Sequence, residues 1–128
     1  MILVDTSAWI DFFRDRKPLA KLVDQALDEN SVAICSPIYT ELMRGFKNKQ
    51  ERDKVVPLLQ ACRFLAQPVD LWETAGQYGF ELKRQGITVK TMDLLIACFA
   101  MAHGLPILAT DQDYRMMQSA GLGILLIN

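Results

Sequence analysis

Four short apolar runs, each bounded by polar or turn-forming residues, constrain this chain more than any other feature. Residues 1–4 stop at Asp5, residues 32–35 at Ser36, residues 106–109 at Thr110, and residues 124–127 follow Gly123. The runs are continuous rather than alternating, the pattern of strands buried on both faces of a parallel sheet. Phe64-Leu65 adds a minimal fifth strand. Between the runs lie segments of helical character. Leu19, Leu22, Val23, Ala26 and Leu27 share one helical face within residues 18–29. Ser36-Pro37 reads as a cap and a first helical residue, opening a helix to about residue 46. Further helices are predicted over 8–14, 49–61, 71–85, 94–102 and 114–119. Gly86 and Gly104 close two of them, and Thr91 or Asp93 caps the apolar one. Strands alternating with helices predict an α/β fold in three layers, α/β/α, with a central, mainly parallel sheet of four to five strands. The 128 residues suit one domain spanning 1–128.

Composition removes several function classes. Hydrophobic residues are 51% and charged residues 23% of the chain, which predicts a folded core rather than disorder. No apolar run approaches the roughly 20 residues that span a bilayer, and the opening residues lack the pattern of a secretory leader. The expectation is a cytoplasmic protein without a membrane role. Cys35, Cys62 and Cys98 are widely spaced in apolar surroundings and His103 is the single histidine, so a Cys/His zinc site is disfavoured and buried free thiols are expected. A net charge of −1 argues against a broadly basic nucleic-acid surface. That argument weakens if the acids gather around cations, which invert the local charge.

The acids do fall where such gathering is possible. In a parallel α/β sheet, sites form beyond the carboxyl ends of the strands. Asp5 and Asp111 stand at two predicted strand exits, Glu41 one turn into the helix after the second strand, and Asp93 at the start of the apolar helix. Clustered carboxylates suit a hard divalent ion such as Mg²⁺ or Mn²⁺, which neutralises their repulsion and promotes phosphoryl chemistry. Each acid also has an ordinary structural use. Asp5 and Asp93 can cap helices, Glu41 can pair with Arg44, and Asp111 and Asp113 can shape a turn. The weight lies in their shared placement.

The segments around these acids carry a specific resemblance. Ile2-Leu3-Val4-Asp5-Thr6-Ser7-Ala8-Trp9-Ile10 resembles the opening signature of PIN-domain proteins, most of all the VapC-type toxins of toxin–antitoxin pairs. Glu41-Leu42-Met43-Arg44-Gly45 resembles their second motif, Asp93-Leu94-Leu95-Ile96-Ala97 their third, and Ile107 through Tyr114 their fourth. The motifs follow family order and cover essentially the whole chain. The resemblance implies a Mg²⁺-dependent endoribonuclease (Mn²⁺ as substitute) that leaves 5′-phosphate ends. It also implies a homodimer and a VapB-type antitoxin through which alone DNA is contacted. It assigns catalysis and metal binding to Asp5, Glu41, Asp93 and Asp111, with Asp113 as a further candidate ligand and Asp111 preferred as nearer the strand end. Thr6 and Thr110 are supporting candidates, and Arg14, Arg44 and Lys47 candidate contacts to the RNA backbone.

Two other readings compete. A phosphatase of haloacid-dehalogenase type wants an aspartate two residues after its nucleophile, where this chain has Ser7. A non-catalytic PIN-like binding module is expected to have lost its carboxylates, and here they are present. Trp9, Phe12 and Phe13 are expected in the core or an interface, and His103 in an interaction at its helix end.

Overall fold

A computed structural model describes residues 1–127. Five strands form one sheet: β1 (Ile2–Val4), β2 (Val32–Ile34), β3 (Arg63–Phe64), β4 (Ile107–Leu108) and β5 (Leu126–Ile127). Their order is β3-β2-β1-β4-β5, and every neighbouring pair is parallel. The sheet expected from the apolar runs is therefore present, with all five strands parallel. Seven helices connect them: α1 (Thr6–Phe13), α2 (Leu19–Asp28), α3 (Ser36–Gly45), α4 (Lys49–Gln60), α5 (Leu71–Arg84), α6 (Thr91–His103) and α7 (Gln112–Ser119). Helix α1 packs on α2 and α5 on α6, while α3 touches both α1 and α6.

The topology dictates where a site can form. β1 lies at the centre, with Ile2 and Leu3 in register with Val32 and Ala33 of β2 on one side. On its other side Leu3 and Val4 match Ile107 and Leu108 of β4. The chain leaving β1 proceeds to the β2 side, whereas β4 enters from the opposite one. The order thus reverses between β1 and β4, and such a switch point opens a crevice beyond the strand ends. Asp5 directly follows β1, and the Ala109–Asp111 segment directly follows β4.

Helix α6 is the internal pillar. Every residue from Asp93 to Ala100 is buried, so the helix shows almost no polar face. It ends where Gly104 takes a left-handed φ of 65°, with Leu105 N–H bonded to the carbonyl of Ala100. Gly86 closes α5 in the same way at φ 81°, with Ile87 N–H bonded to Leu82. Both glycine stops follow the sequence expectation, since only glycine adopts that conformation without a Cβ penalty.

Three local expectations need correction. Ser36 is the first residue of α3 rather than its cap, because Cys35 supplies the extended N-cap backbone and makes no side-chain cap bond. Neither Thr91 nor Asp93 caps α6, since both lie inside it and the extended residue before it is Lys90. His103 reaches the carbonyl of Ala66 at 2.8 Å rather than its own helix end.

Candidate active site

Burial singles out two acids. Among the described residues, Asp5 and Asp93 are the buried polar or charged side chains, at 2% and 4% exposure. Removing a carboxylate from water costs several kcal/mol unless it is compensated, so such a pair requires an explanation beyond helix capping.

Asp5 is held on both oxygens. Its Oδ2 accepts from the backbone N–H of Ser7 at 3.1 Å and from the Ser7 hydroxyl at 2.6 Å. It thereby caps α1, the ordinary use considered for it. Its Oδ1 accepts from the Tyr114 hydroxyl at 2.7 Å. The Ser7 oxygen in turn accepts from the N–H of Thr110 at 3.0 Å, which ties the exit of β4 to the exit of β1. Thr110 therefore contributes through its backbone.

Asp93 is differently placed. Its Oδ1 lies 3.4 Å from the Tyr114 hydroxyl, whose one proton is committed to Asp5 at the shorter distance. Its Oδ2 is buried without a hydrogen bond, and the Lys90 ammonium at 3.5 Å offers only a Coulombic approach. Burial, then the charges of Asp5 and Asp111, raise its pKa from the ordinary 3.8 to about 8. The same surroundings hold the Tyr114 hydroxyl well above its ordinary value, burial first and Asp5 next.

Asp111 and Asp113 complete an outer rim. Asp111 caps α7 by accepting from Asp113 N–H at 3.0 Å, and its Oδ2 binds the Lys90 ammonium at 2.5 Å. Partial burial works to raise its pKa, but Lys90 and the Asp113 N–H outweigh it and hold the carboxylate below its ordinary value. Asp113 Oδ2 accepts from the backbone N–H of Lys90 at 2.9 Å. Asp93, Asp111 and Asp113 each offer an oxygen, and these lie within 4.8 Å of one another. Three hard oxygen donors, one of them from the buried Asp93, fit a small divalent cation and match no soft-metal set.

Glu41 lies beside this triad rather than within it. Its Oε1 accepts from the Thr6 hydroxyl at 2.7 Å, not from the Arg44 pairing considered for it. Both Glu41 and Asp5 act on the Cys35 thiol, whose pKa burial chiefly pushes up to about 12. Thr6 and Glu41 also line a cleft of about 500 Å³ between α1, α3 and α4, where Arg14, Lys47 and Lys54 stand among Ile10, Phe13 and Phe46. Two of the three candidate RNA contacts, Arg14 and Lys47, border this cleft; Arg44 is exposed and is not among its lining residues.

Sequence reasoning missed Lys90, Tyr114 and Ser7. Tyr114 carried the one available signal, a phenol just behind two acids and buried despite its polar short helix. The contacts that matter join residues 21 to 109 positions apart, beyond any local pattern.

Residues 2–119 match the family model described as PIN domain. VapC ribonuclease Mb1587 of Mycobacterium bovis and Ribonuclease VapC11 of Mycobacterium tuberculosis are each 33% identical over 123 residues, covering 91% of this chain and 91% of theirs. The fold is similar to that in VapBC-1 of nontypeable Haemophilus influenzae, with TM-score 0.78 and 20% identity over 100% of this chain and 98% of that one. It is also similar to that in VapBC2 of Rickettsia felis bound to a promoter DNA fragment, with TM-score 0.77 and 19% identity at the same two coverages.

Proposed function

The chain belongs to the PIN-domain family, and from that premise we propose that it is a Mg²⁺-dependent endoribonuclease, the toxin of a toxin–antitoxin pair. Its relatives named as VapC ribonucleases support the activity, and its neighbours in VapBC complexes support a VapB-type antitoxin as partner. The observation that carries the reading is the Asp93–Asp111–Asp113 triad, in which the buried Asp93 keeps an oxygen, Oδ2, without a hydrogen bond. The whole chain acts as one PIN unit, cytoplasmic and homodimeric, with DNA contacted only through the antitoxin.

In this mechanism Asp93, Asp111 and Asp113 would hold the metal, with the buried Asp5 and the neighbouring Glu41 as further acids of the crevice. When bound, a divalent ion there supplies positive charge to the scissile phosphate and lowers the pKa of an attacking water. Ser7 and Tyr114 fix the Asp5 carboxylate in one orientation, so its charge acts on Asp93 without rearrangement. The Thr6 hydroxyl holds Glu41 by Oε1, positioning it to accept a proton from the water. Arg14, Lys47 and Lys54 along the adjoining cleft grip backbone phosphates, which supplies local attraction despite the acidic net charge.

The test is cleavage of total RNA by the purified, antitoxin-free chain in Mg²⁺, Mn²⁺ or EDTA, beside a folded Asp93→Asn variant. Discrete, metal-requiring cuts that vanish in the variant are expected, with 5′-phosphate ends. Cutting that ignores both EDTA and the substitution refutes the mechanism. Metal-dependent release of phosphate from small phosphomonoesters, with RNA left intact, favours the phosphatase reading instead.

A further inference from the structure

One residue contacts all three acids of the triad. Lys90, the extended residue before α6, donates its backbone N–H to Asp113 at 2.9 Å. Its ammonium lies 2.5 Å from Asp111 Oδ2 and 3.5 Å from Asp93 Oδ2. The backbone contact is fixed by the start of α6, whereas the side chain is 65% exposed on a flexible four-carbon stem. The chain thus carries its own cation at the place where the carboxylates crowd.

We infer that Lys90 is an internal counter-cation, paired with Asp111 beside the buried Asp93 in the metal-free protein and displaced from Asp111 when a divalent ion binds. This rests on the metal-site reading given above. Three carboxylate oxygens within 4.8 Å repel one another, and a positive charge among them relieves that repulsion. A metal ion and the ammonium compete for the same oxygen, Asp111 Oδ2, and two cations a few ångströms apart repel as well. The stem of Lys90 has solvent to move into, whereas Asp93 is buried and stays. Lys90 is a positioning residue: it holds the empty site in shape and lowers its affinity for the ion.

The experiment titrates Mn²⁺ into wild type, Lys90→Met, Lys90→Arg and Asp93→Asn, reading free Mn²⁺ by paramagnetic resonance and melting temperature with and without metal. Lys90→Met is expected to bind Mn²⁺ roughly two- to fivefold more tightly, the order of one partly exposed ion pair. It should melt lower than wild type in EDTA and gain more from Mn²⁺, while Lys90→Arg stays near wild type. Lys90→Gln, which keeps a hydrogen-bond donor without the charge, replaces Lys90→Met if that variant fails to fold. Equal or weaker Mn²⁺ binding in the folded neutral variant overturns the inference. Binding by wild type that is lost in Asp93→Asn upholds the metal site whatever Lys90 does; no binding by wild type or any Lys90 variant refutes site and inference together.

Discussion

The acidic crevice has two unlike poles. At the inner pole Asp5 and Asp93 are buried against Tyr114, and the Lys90 ammonium approaches Asp93 only to 3.5 Å without a hydrogen bond. At the outer pole Asp111 and Asp113 are half-buried and Lys90 answers both, one through its ammonium and one through its backbone. The difference is electrostatic. The outer acids sit where the chain has already compensated them, so the fold tolerates them at little cost. Asp5 is compensated by its three hydrogen bonds, whereas Asp93 is carried at the expense of stability, a common mark of groups kept for chemistry rather than for folding.

The strongest way to break that contrast is Asp93→Asn. RNA cleavage should fall by about 10³-fold, the scale of removing a group that stabilises developing charge, while the metal-free protein becomes more stable at pH 8. The sign follows from the raised pKa: the unfolded chain releases this proton near pH 4, but the folded chain holds it to about pH 8. The Asp93 contribution therefore favours the metal-free fold at low pH and is lost progressively from about pH 4 to about pH 8. Melting curves in EDTA across that window should slope downward for wild type and less so for Asn. Parallel slopes would mean that Asp93 ionises normally and that the inner pole is not uncompensated.

Within the outer pole, Asp111→Asn should lower cleavage by roughly 10²-fold and Asp113→Asn by less than about tenfold. The reverse ranking in kcat would move the fourth carboxylate from the strand exit into the first turn of α7. Tyr114→Phe tests the hinge between the poles. It removes the donor to a buried carboxylate and should cost about 1.5–3 kcal/mol in urea unfolding, with a smaller effect on kcat. The smallest change, about severalfold in kcat with little change in melting, is expected for Thr6→Val, which frees Glu41 from its part-buried hydroxyl partner.

Much of this arrangement was legible in the chain itself, for identifiable reasons. A strand buried on both faces must be apolar throughout, so residues 2–4, 32–34 and 107–108 announce themselves, and the residues that follow them inherit the crevice. That logic reached Asp5 and Asp111 at strand exits and Glu41 and Asp93 near helix starts, and the resemblance then gave all four their roles. Helix starts were less legible: Ser36 and Thr91 are good capping types, yet the extended backbone falls one residue earlier, at Cys35 and Lys90. Lys90 reads as an ordinary surface charge until α7 folds back and sets Asp111 and Asp113 against it. Ser7 and Tyr114 act across 103 and 109 residues, a distance at which local periodicity carries no information.

The central place of β1 also sets a timetable. This strand precedes all the others described, yet one of its two edges is satisfied only by β4, more than a hundred residues later. A growing chain can close β1 against β2 while the other edge still shows unpaired backbone groups. The Thr110–Ser7 link and the Asp111–Lys90 contact cannot form before that edge is filled. A ribosome-bound precursor that lacks β4 and α7 thus carries none of the completed acidic crevice, so the hazard of an unrestrained nuclease begins only once those two elements have emerged.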